Sequence, residues 1–465
     1  MGRFDGHMAV TARPLDRRRL ESLLERERAQ FAADHPRSVE LAERARGSLL
    51  HGVPMPWMAK WAGGTPVFLA EAHGSRVIDV DGHEYVDVAL GDTGAMPGHS
   101  PEPTVDAVIE RLRGRGGITT MMPTEDAIVV GEELAARFGL PAWQFALSAT
   151  DANRFVLRMA RQVQRRSKIR IFLWSYHGTV DETVVSLDDA GRVVAKPGNV
   201  GAPVDPALTT KVVPFNDLDA VRAALAPEDV ACVLAEPAMT NVGMVLPEPG
   251  FLAGLEEACA QTGTLLVYDE THTMSAGPGG CVAAWGLRPD AVTMGKALGA
   301  GVPIGAYGLS AALRDRVLAD TEGDYLDWGG VGGTLAGNAL SLAAARATLE
   351  HVLTDQAYAR MAATCERYVG GVREVFARHG APWSIVGLGA RAEFHFTPDP
   401  PRSGADAHAA IDPLLDDVIH AALLNRGVML TPFHNMALMG PTTTAQDVYS
   451  VLAALDAVVG EIFSA

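Results

Sequence analysis

Two short apolar runs, each ending on a charged residue, constrain this chain more than any other feature. Leu265-Leu266-Val267-Tyr268 is too short for a helix and stops at Asp269-Glu270. Ala291-Val292-Thr293-Met294 stops at Gly295-Lys296, inside a segment that also carries Gly299, Gly301 and Gly305. Runs of this length and apolarity read as buried strands of a parallel sheet. Such a sheet binds its ligands beyond the carboxyl ends of its strands. A desolvated lysine placed there is a nucleophile toward carbonyls and forms Schiff bases. Taken singly, Asp269 is a helix cap and Lys296 a solvated loop residue. The pair at two strand ends points to chemistry.

The rest of the chain supplies the sheet. From about Thr104 to Gly308, helical segments alternate with candidate strands at Ile169–Trp174, Val230–Ala235, Leu265–Tyr268, Ala291–Met294 and Ile304–Gly308, the pattern of a mostly parallel α/β fold. Ahead of them, Leu15–Leu50 is charged, with Leu20, Leu23, Leu24 and Phe31 at helical spacing, and Pro36 divides it into two helices. Val77–Val86 reads as a hairpin on the Asp81-Gly82 turn. Beyond Gly333–Gly337, long helices flank strands near Arg391–Phe396 and Val428–Leu430. The expected division is a helical arm over residues 1–60 contributing to the small domain, a large domain over 61–335 and a small α+β domain over 336–465.

Charge and cysteine usage narrow the function. A formal net charge of −17 argues against a nucleic acid or an anionic membrane as partner. The basic cluster Arg158, Arg161, Arg165, Arg166 and Lys168 lacks interleaved aromatics and reads as a solvated helix face. Cys232, Cys259, Cys281 and Cys365 show no Cys-x-x-Cys spacing, so neither a metal site nor a disulfide framework is expected. No apolar run is long enough to span a bilayer. A cytoplasmic protein is expected.

Four weaker signals lie along the chain. Ser148-Ala149-Thr150-Asp151 precedes the helix-like Ala152–Gln164; such a turn suits a phosphate, and is equally an ordinary N-cap. Tyr176, in Trp174-Ser175-Tyr176-His177-Gly178, either stacks on a flat ring or packs. Glu236-Pro237 follows the apolar Cys232–Ala235, and Gly332-Gly333-Thr334-Leu335-Ala336-Gly337-Asn338 sets a hydroxyl among glycines.

In this order, these features resemble the class III (subgroup II) aminotransferases, nearest the branch of glutamate-1-semialdehyde aminomutase and the β-amino-acid aminotransferases. The resemblance runs from about Gly52 to the C-terminus, with further matches at Asp79-Val80-Asp81-Gly82, Gly98-His99 and Pro214-Phe215-Asn216-Asp217. It implies a pyridoxal 5'-phosphate enzyme of fold type I: a large domain with a mostly parallel seven-stranded sheet between helices, plus a smaller α+β domain. It implies that Lys296 holds the cofactor covalently and that Asp269 pairs with its pyridine nitrogen. Tyr176 would cover one face of the ring, and Thr271, where the family usually has valine, the other. Ser148, Ala149 and Thr150 would hold the phosphate, and Glu236 belongs to the same set. Thr334 would reach the phosphate of a neighbouring subunit, which implies a homodimer with shared active sites. His272 falls beside the position of the cofactor's phenolic oxygen, where it either tunes a proton equilibrium or packs.

The chain also departs from the family pattern. Ala149 replaces a glycine and Asp151 a glutamate. Trp57 stands where the aminomutase and the β-amino-acid enzymes place a carboxylate-binding arginine, and an indole cannot form that fork. Asn241 replaces the glutamate that parks a mobile arginine in other members, and Thr431–Met439 contains no arginine. A pocket of Trp57, Met58, Phe433 and Met436 would suit an apolar amine or ketone, or a substrate whose carboxylate is held elsewhere. Arg391, with Lys60 behind it, is the remaining carboxylate partner; either is alternatively a surface ion-pair residue. The expected activity is amino transfer from an amine or β-amino-acid-like donor to a keto acceptor by ping-pong chemistry. The alternatives are an intramolecular 2,1-aminomutase and a non-catalytic homologue.

Overall fold

The alternating segments close into one seven-stranded sheet in the computed structural model, which describes residues 15–464. Residues 1–14 of the expected arm lie outside the described residues. The described chain enters through α1 (Arg17–Asp34) and α2 (Pro36–Ala45), divided at Pro36 as the sequence predicts. Strands β1 (Leu69–His73), β2 (Arg76–Asp79) and β3 (Glu84–Asp87) follow, with Gly82 supplying a left-handed φ of 90° at the β2–β3 turn. Next come α3 (Glu102–Arg113), α4 (Glu125–Phe138), β4 (Ala142–Ala146), α5 (Ala149–Gln164) and β5 (Lys168–Phe172). A small hairpin, β6 (Val185–Leu187) and β7 (Val193–Ala195), precedes β8 (Thr210–Val213), β9 (Val230–Ala235), β10 (Leu265–Asp269), β11 (Ala291–Met294) and β12 (Gly305–Leu309).

The large sheet has the order β4-β12-β11-β10-β9-β5-β8. Strand β12 runs against both its neighbours, and the other pairs are parallel. Every residue of β9 to β12 is buried. Helices cover both faces, which is why these strands read as continuous apolar runs and not as alternation. The strand expected over Ile169–Trp174 ends at Phe172: the Ser175 N–H and hydroxyl both donate to the Phe172 carbonyl, at 3.1 and 2.8 Å, and Trp174 adopts φ 69°. Arg170, on β5, is fully buried with its guanidinium 4.3 Å from the Phe172 ring centroid; burial pushes it down to about 9.

The smaller unit holds an antiparallel sheet of β13 (Ser384–Leu388), β14 (Arg391–His395) and β16 (Met436–Leu438), while β15 (Val428–Met429) pairs with β3. Its core joins Leu20 and Leu24 of α1 to Val86, Val88, Phe394 and Val418. The helix Ala339–Ala347 instead places Leu342 and Ala345 in the core of the large sheet. We therefore propose that β1 to β3 belong with the smaller unit and that the larger one reaches past residue 345. Among the described residues no helix is long and apolar enough to cross a membrane.

Candidate active site

The carboxyl ends of β4, β5, β9, β10 and β11 and the start of β12 border one cavity of about 480 Å³. Ser148, Ala149, Thr150, Tyr176, Glu236, Asp269, Thr271, His272 and Lys296 all line it. Asp269 stands opposite Thr293 in the β10–β11 register, so Lys296, three residues beyond Thr293, comes out beside it. The two strand ends predicted to carry the chemistry are neighbours.

Asp269 is buried, with three donors on its carboxylate that leave Oδ1 room to accept one more. Oδ2 accepts from His177 Nδ1 at 3.0 Å and from Asn153 Nδ2 at 2.8 Å, while Oδ1 accepts from the Thr271 N–H at 3.1 Å. Burial alone would push this carboxyl up. The bond and charge of His177, with Thr271 and Asn153, outweigh that and hold it at about 2. Asp269 is therefore a fixed anion at neutral pH. Sequence reasoning missed both His177 and Asn153: His177 sits in the Trp174–Gly178 segment, but nothing in a linear sequence pairs it with Asp269.

Ser148 caps α5, its hydroxyl oxygen accepting from the Asp151 N–H at 3.2 Å. Ala149 is the first helical residue and has no left-handed φ, so the alanine is tolerated where the family has glycine. Glycines let other segments close on this turn. A Cβ on Gly305 would meet the Ser148 carbonyl oxygen at 2.3 Å, and one on Gly178 the Thr150 hydroxyl at 2.0 Å. Glu236 accepts from Thr240 and, at 3.1 Å, from Asn241, and its other oxygen has no partner; burial raises its carboxyl above the usual range.

On the opposite side, Lys296 Nζ lies 2.8 Å from Asp92 Oδ2 and 2.6 Å from His272 Nε2. His272 Nδ1 lies 2.9 Å from the Thr93 hydroxyl and 2.8 Å from an Arg391 terminal nitrogen. Asp92 and Thr93 come from Leu90–Thr93, four consecutive left-handed residues with φ of 41°, 58°, 51° and 83°. Three of the four are not glycine, and each such residue costs on the order of 1–3 kcal/mol, a strain that concentrates at functional sites. The sequence signal was Gly91-Asp92-Thr93-Gly94, a polar pair between glycines after an apolar strand.

Several expected pocket residues are placed elsewhere. Arg391 is buried and lines neither cavity; one terminal nitrogen contacts Thr93 and lies 2.8 Å from His272 Nδ1, and its Nε has no partner. It shares a strand face with Glu393 and His395, which do line a second cavity, but lies at the other end of that face. Met436 is buried in a separate apolar cluster and Met58 is exposed. Thr334 is exposed and away from the cavity of its own chain. The second cavity, of about 350 Å³, shares Trp57 and Tyr176 with the first and adds Asn241 and Phe433. Trp57 stands at the junction, with ring centroids 5.7 Å from Tyr176 and 5.4 Å from Phe433. Lys60, Lys196, Glu393 and His434 also line this space, so its walls are not purely apolar.

The family model for aminotransferase class-III matches residues 57–458. The chain belongs to the class-III aminotransferases. A glutamate-1-semialdehyde 2,1-aminomutase of Sorangium cellulosum (strain So ce56) is 34% identical over 425 residues, covering 90% of this chain and 95% of that relative. A solved glutamate-1-semialdehyde-aminomutase of Pseudomonas aeruginosa PAO1, a variant in complex with PMP, has a TM-score of 0.93 at 47% identity, covering 96% of this chain and 99% of its own. A β-phenylalanine aminotransferase of Variovorax paradoxus has a TM-score of 0.84 at 27% identity, covering 95% and 97%. This class-III aminotransferase is thus a fold type I enzyme, and its cofactor is pyridoxal phosphate.

The residues present fit that cofactor. Asp269 offers a fixed anion for a ring nitrogen, and Thr271 has a buried hydroxyl without a partner. Ala149 and Thr150 lie in the first turn of α5, whose N–H groups have no intrahelical acceptor and favour a phosphate.

Proposed function

We propose that this enzyme is an aminotransferase that moves an amino group from an amine or β-amino-acid-like donor to a keto acceptor by ping-pong chemistry. Lys296 would hold the cofactor, and its amine, when free, would take the proton from the carbon bearing the donor's nitrogen. Asp269 would keep a proton on the ring nitrogen, Tyr176 and Thr271 would cover the ring, and Ser148, Ala149 and Thr150 would hold the phosphate. When bound, pyridoxal phosphate supplies an electron sink for that carbon. Thr334 of a second copy completes the phosphate site. Leu326, Trp328 and Leu335, all exposed and close to Thr334 in sequence, support a homodimer, since exposed large apolar side chains suit an interface.

The observation that carries the donor choice is Trp57. It lines both cavities, against Tyr176 and Phe433, at the position where the resemblance places the carboxylate-binding arginine of both the aminomutase and the β-amino-acid enzymes. An indole there favours a donor with a flat or apolar body. Lys60, Lys196, Glu393 and His434 leave room for a polar group at the far end. A second reading, an intramolecular 2,1-aminomutase, is supported by the names of the relatives. The pyridoxal form, incubated with one donor and no acceptor, separates the two: an aminotransferase releases ketone and accumulates the pyridoxamine form, whereas a mutase returns an isomer. The panel should span β-amino acids, arylalkyl amines and α-amino acids. Activity confined to α-amino acids would overturn the donor assignment.

A further inference from the structure

We propose that the second cavity binds a cationic hydrogen-bond donor carried by the substrate, with Glu393 and His395 selecting it, so that the preferred donor is an amine bearing a second amino group. Glu393 and His395 share one face of β14, about 6–7 Å apart along the strand, and both line the cavity. They are buried, at 3% and 6% exposure, and each keeps an atom without a partner, Oε2 of Glu393 and Nε2 of His395. The His395 ring is hydrogen-bonded to the Met244 backbone; since Nε2 has no partner, that bond is made by Nδ1. It favours the protonated ring, so it is a donation to a carbonyl, and Nε2 of the neutral ring is left with a lone pair. Burial holds the imidazole below its usual range, in keeping with a neutral ring.

A buried acceptor without a donor is costly, and two of them on one wall of a cavity mark where a ligand supplies the donor. The chain's own cations do not fill that role. Among the described residues, the one ion-pair neighbour of Glu393 is the His434 ring, with Nδ1 3.4 Å from Oε1. Arg391, on the same strand face, directs a terminal nitrogen to Thr93 and His272. Lys196 Nζ donates to the Ser175 carbonyl at 2.8 Å. Lys60 is exposed, and its Nζ lies 5.7 Å from the Phe433 ring centroid. This last contact shows that the aromatic wall accepts an ammonium. Trp57, Trp174 and Phe396 line the same space, and the negative face of an aromatic ring attracts a cation. A hydroxyl has one proton to donate and satisfies one of the two acceptors. An ammonium has three and can satisfy both. A carboxylate would meet lone pairs with lone pairs.

The inference rests on the amine-donor reading proposed above, and competition binding tests it separately. An α,ω-diaminoalkane, the 1-aminoalkane and the ω-amino acid of equal chain length compete with whichever substrate of the donor panel the holoenzyme turns over. The panel then reports what reacts, and the competition reports what the second cavity holds, with no competitor required to react. In wild type the diamine should compete about ten- to a hundredfold more tightly than the monoamine, the worth of one hydrogen bond to a charged group. The ω-amino acid should compete no better than the monoamine. Glu393→Gln keeps the shape and removes the charge, and should bring the diamine within about threefold of the monoamine. His395→Phe removes the second acceptor and should weaken the diamine alone, by about two- to tenfold. Neither variant should alter the yellow absorbance or the monoamine's inhibition constant. Equal competition by diamine and monoamine in wild type, a preference for the ω-amino acid, or a diamine preference that survives Glu393→Gln would overturn the proposal. The wild-type comparison needs no variant and decides the matter if Glu393→Gln does not fold.

Discussion

The two cavities that meet at Trp57 and Tyr176 are made differently. The cofactor cavity draws its polar groups from strand ends and the first turn of a helix: Asp269 closes β10, Lys296 follows β11, and Ser148 to Thr150 open α5. The second cavity draws mainly on loops, with Trp57 in a single helical turn, Asn241 after β9, and Phe433 and His434 between β15 and β16. Positions on sheet edges are fixed by the ladder on either side. Loop positions change without disturbing the fold, which is where selectivity is adjusted. Substitutions in the first cavity should therefore abolish or slow chemistry for every substrate, and substitutions in the second should re-rank substrates.

The sharpest break is Lys296→Ala. Turnover should vanish, as should the yellow absorbance of lysine-bound cofactor, while the fold persists by circular dichroism. An unchanged absorbance would remove Lys296 from the chemistry. A smaller effect is expected from His177→Leu, which keeps volume but removes the Nδ1 donor from Asp269 while Asn153 and Thr271 remain. One hydrogen bond to a charged group is worth roughly 1.5–3 kcal/mol, so kcat should fall about ten- to a hundredfold with KM little changed. With His177 gone, the Asp269 carboxyl rises from about 2. The acid limb of kcat should move to higher pH, and a loss of kcat without that movement would mean that His177 only packs.

This contrast also explains what was legible in the sequence. Asp269 and Lys296 announced themselves because a buried parallel strand is a short apolar run and its carboxyl end is the next residue. The cap at Ser148 and the tyrosine after β5 are likewise local. His177, Asn153, Asp92 and Thr93 are defined by partners 92, 116, 204 and 179 residues away, and no local pattern carries such pairings. Arg391 illustrates the limit most clearly. Strand periodicity puts it on one face with Glu393 and His395, but not at which end of β14 the substrate space opens. Two strand residues, about 6–7 Å, separate Arg391 from Glu393, which lines the second cavity.

The second cavity is tested by Trp57→Arg. A guanidinium at this mouth should raise kcat/KM for carboxylate-bearing donors and lower it for arylalkyl amines, each by about tenfold, in line with the worth of one bidentate pair partly open to solvent. The yellow absorbance of the resting enzyme should be unaffected. Equal losses for all donors would show that the two cavities are not separable at Trp57.

The smallest expected effect concerns Asp416, and it sets the two cavities against each other through pH. Asp416 is half-buried at the wall of the second cavity and accepts from Asn435 Nδ2 at 2.8 Å. Burial, with Asp412, Asp417 and Glu393 nearby, pushes it up to about 7. Its folded value therefore lies above its unfolded one. Between the two, the unfolded chain has released a proton that the folded chain retains, so stability falls as pH rises from about 4 to about 7 and then levels. Asp269 has the opposite sign: held at about 2, it contributes stability that is complete above about pH 4 and lost as pH drops through its folded value. Asp416→Asn keeps an oxygen for Asn435 but cannot ionise. The variant should match wild type near pH 4 and exceed it at pH 8 by about 1–2 kcal/mol, discounted for solvent screening at a half-buried site. Urea titrations at the two pH values measure the difference. A gain of the same size at both would assign it to packing, and the titration of the second cavity's wall would then play no part in stability.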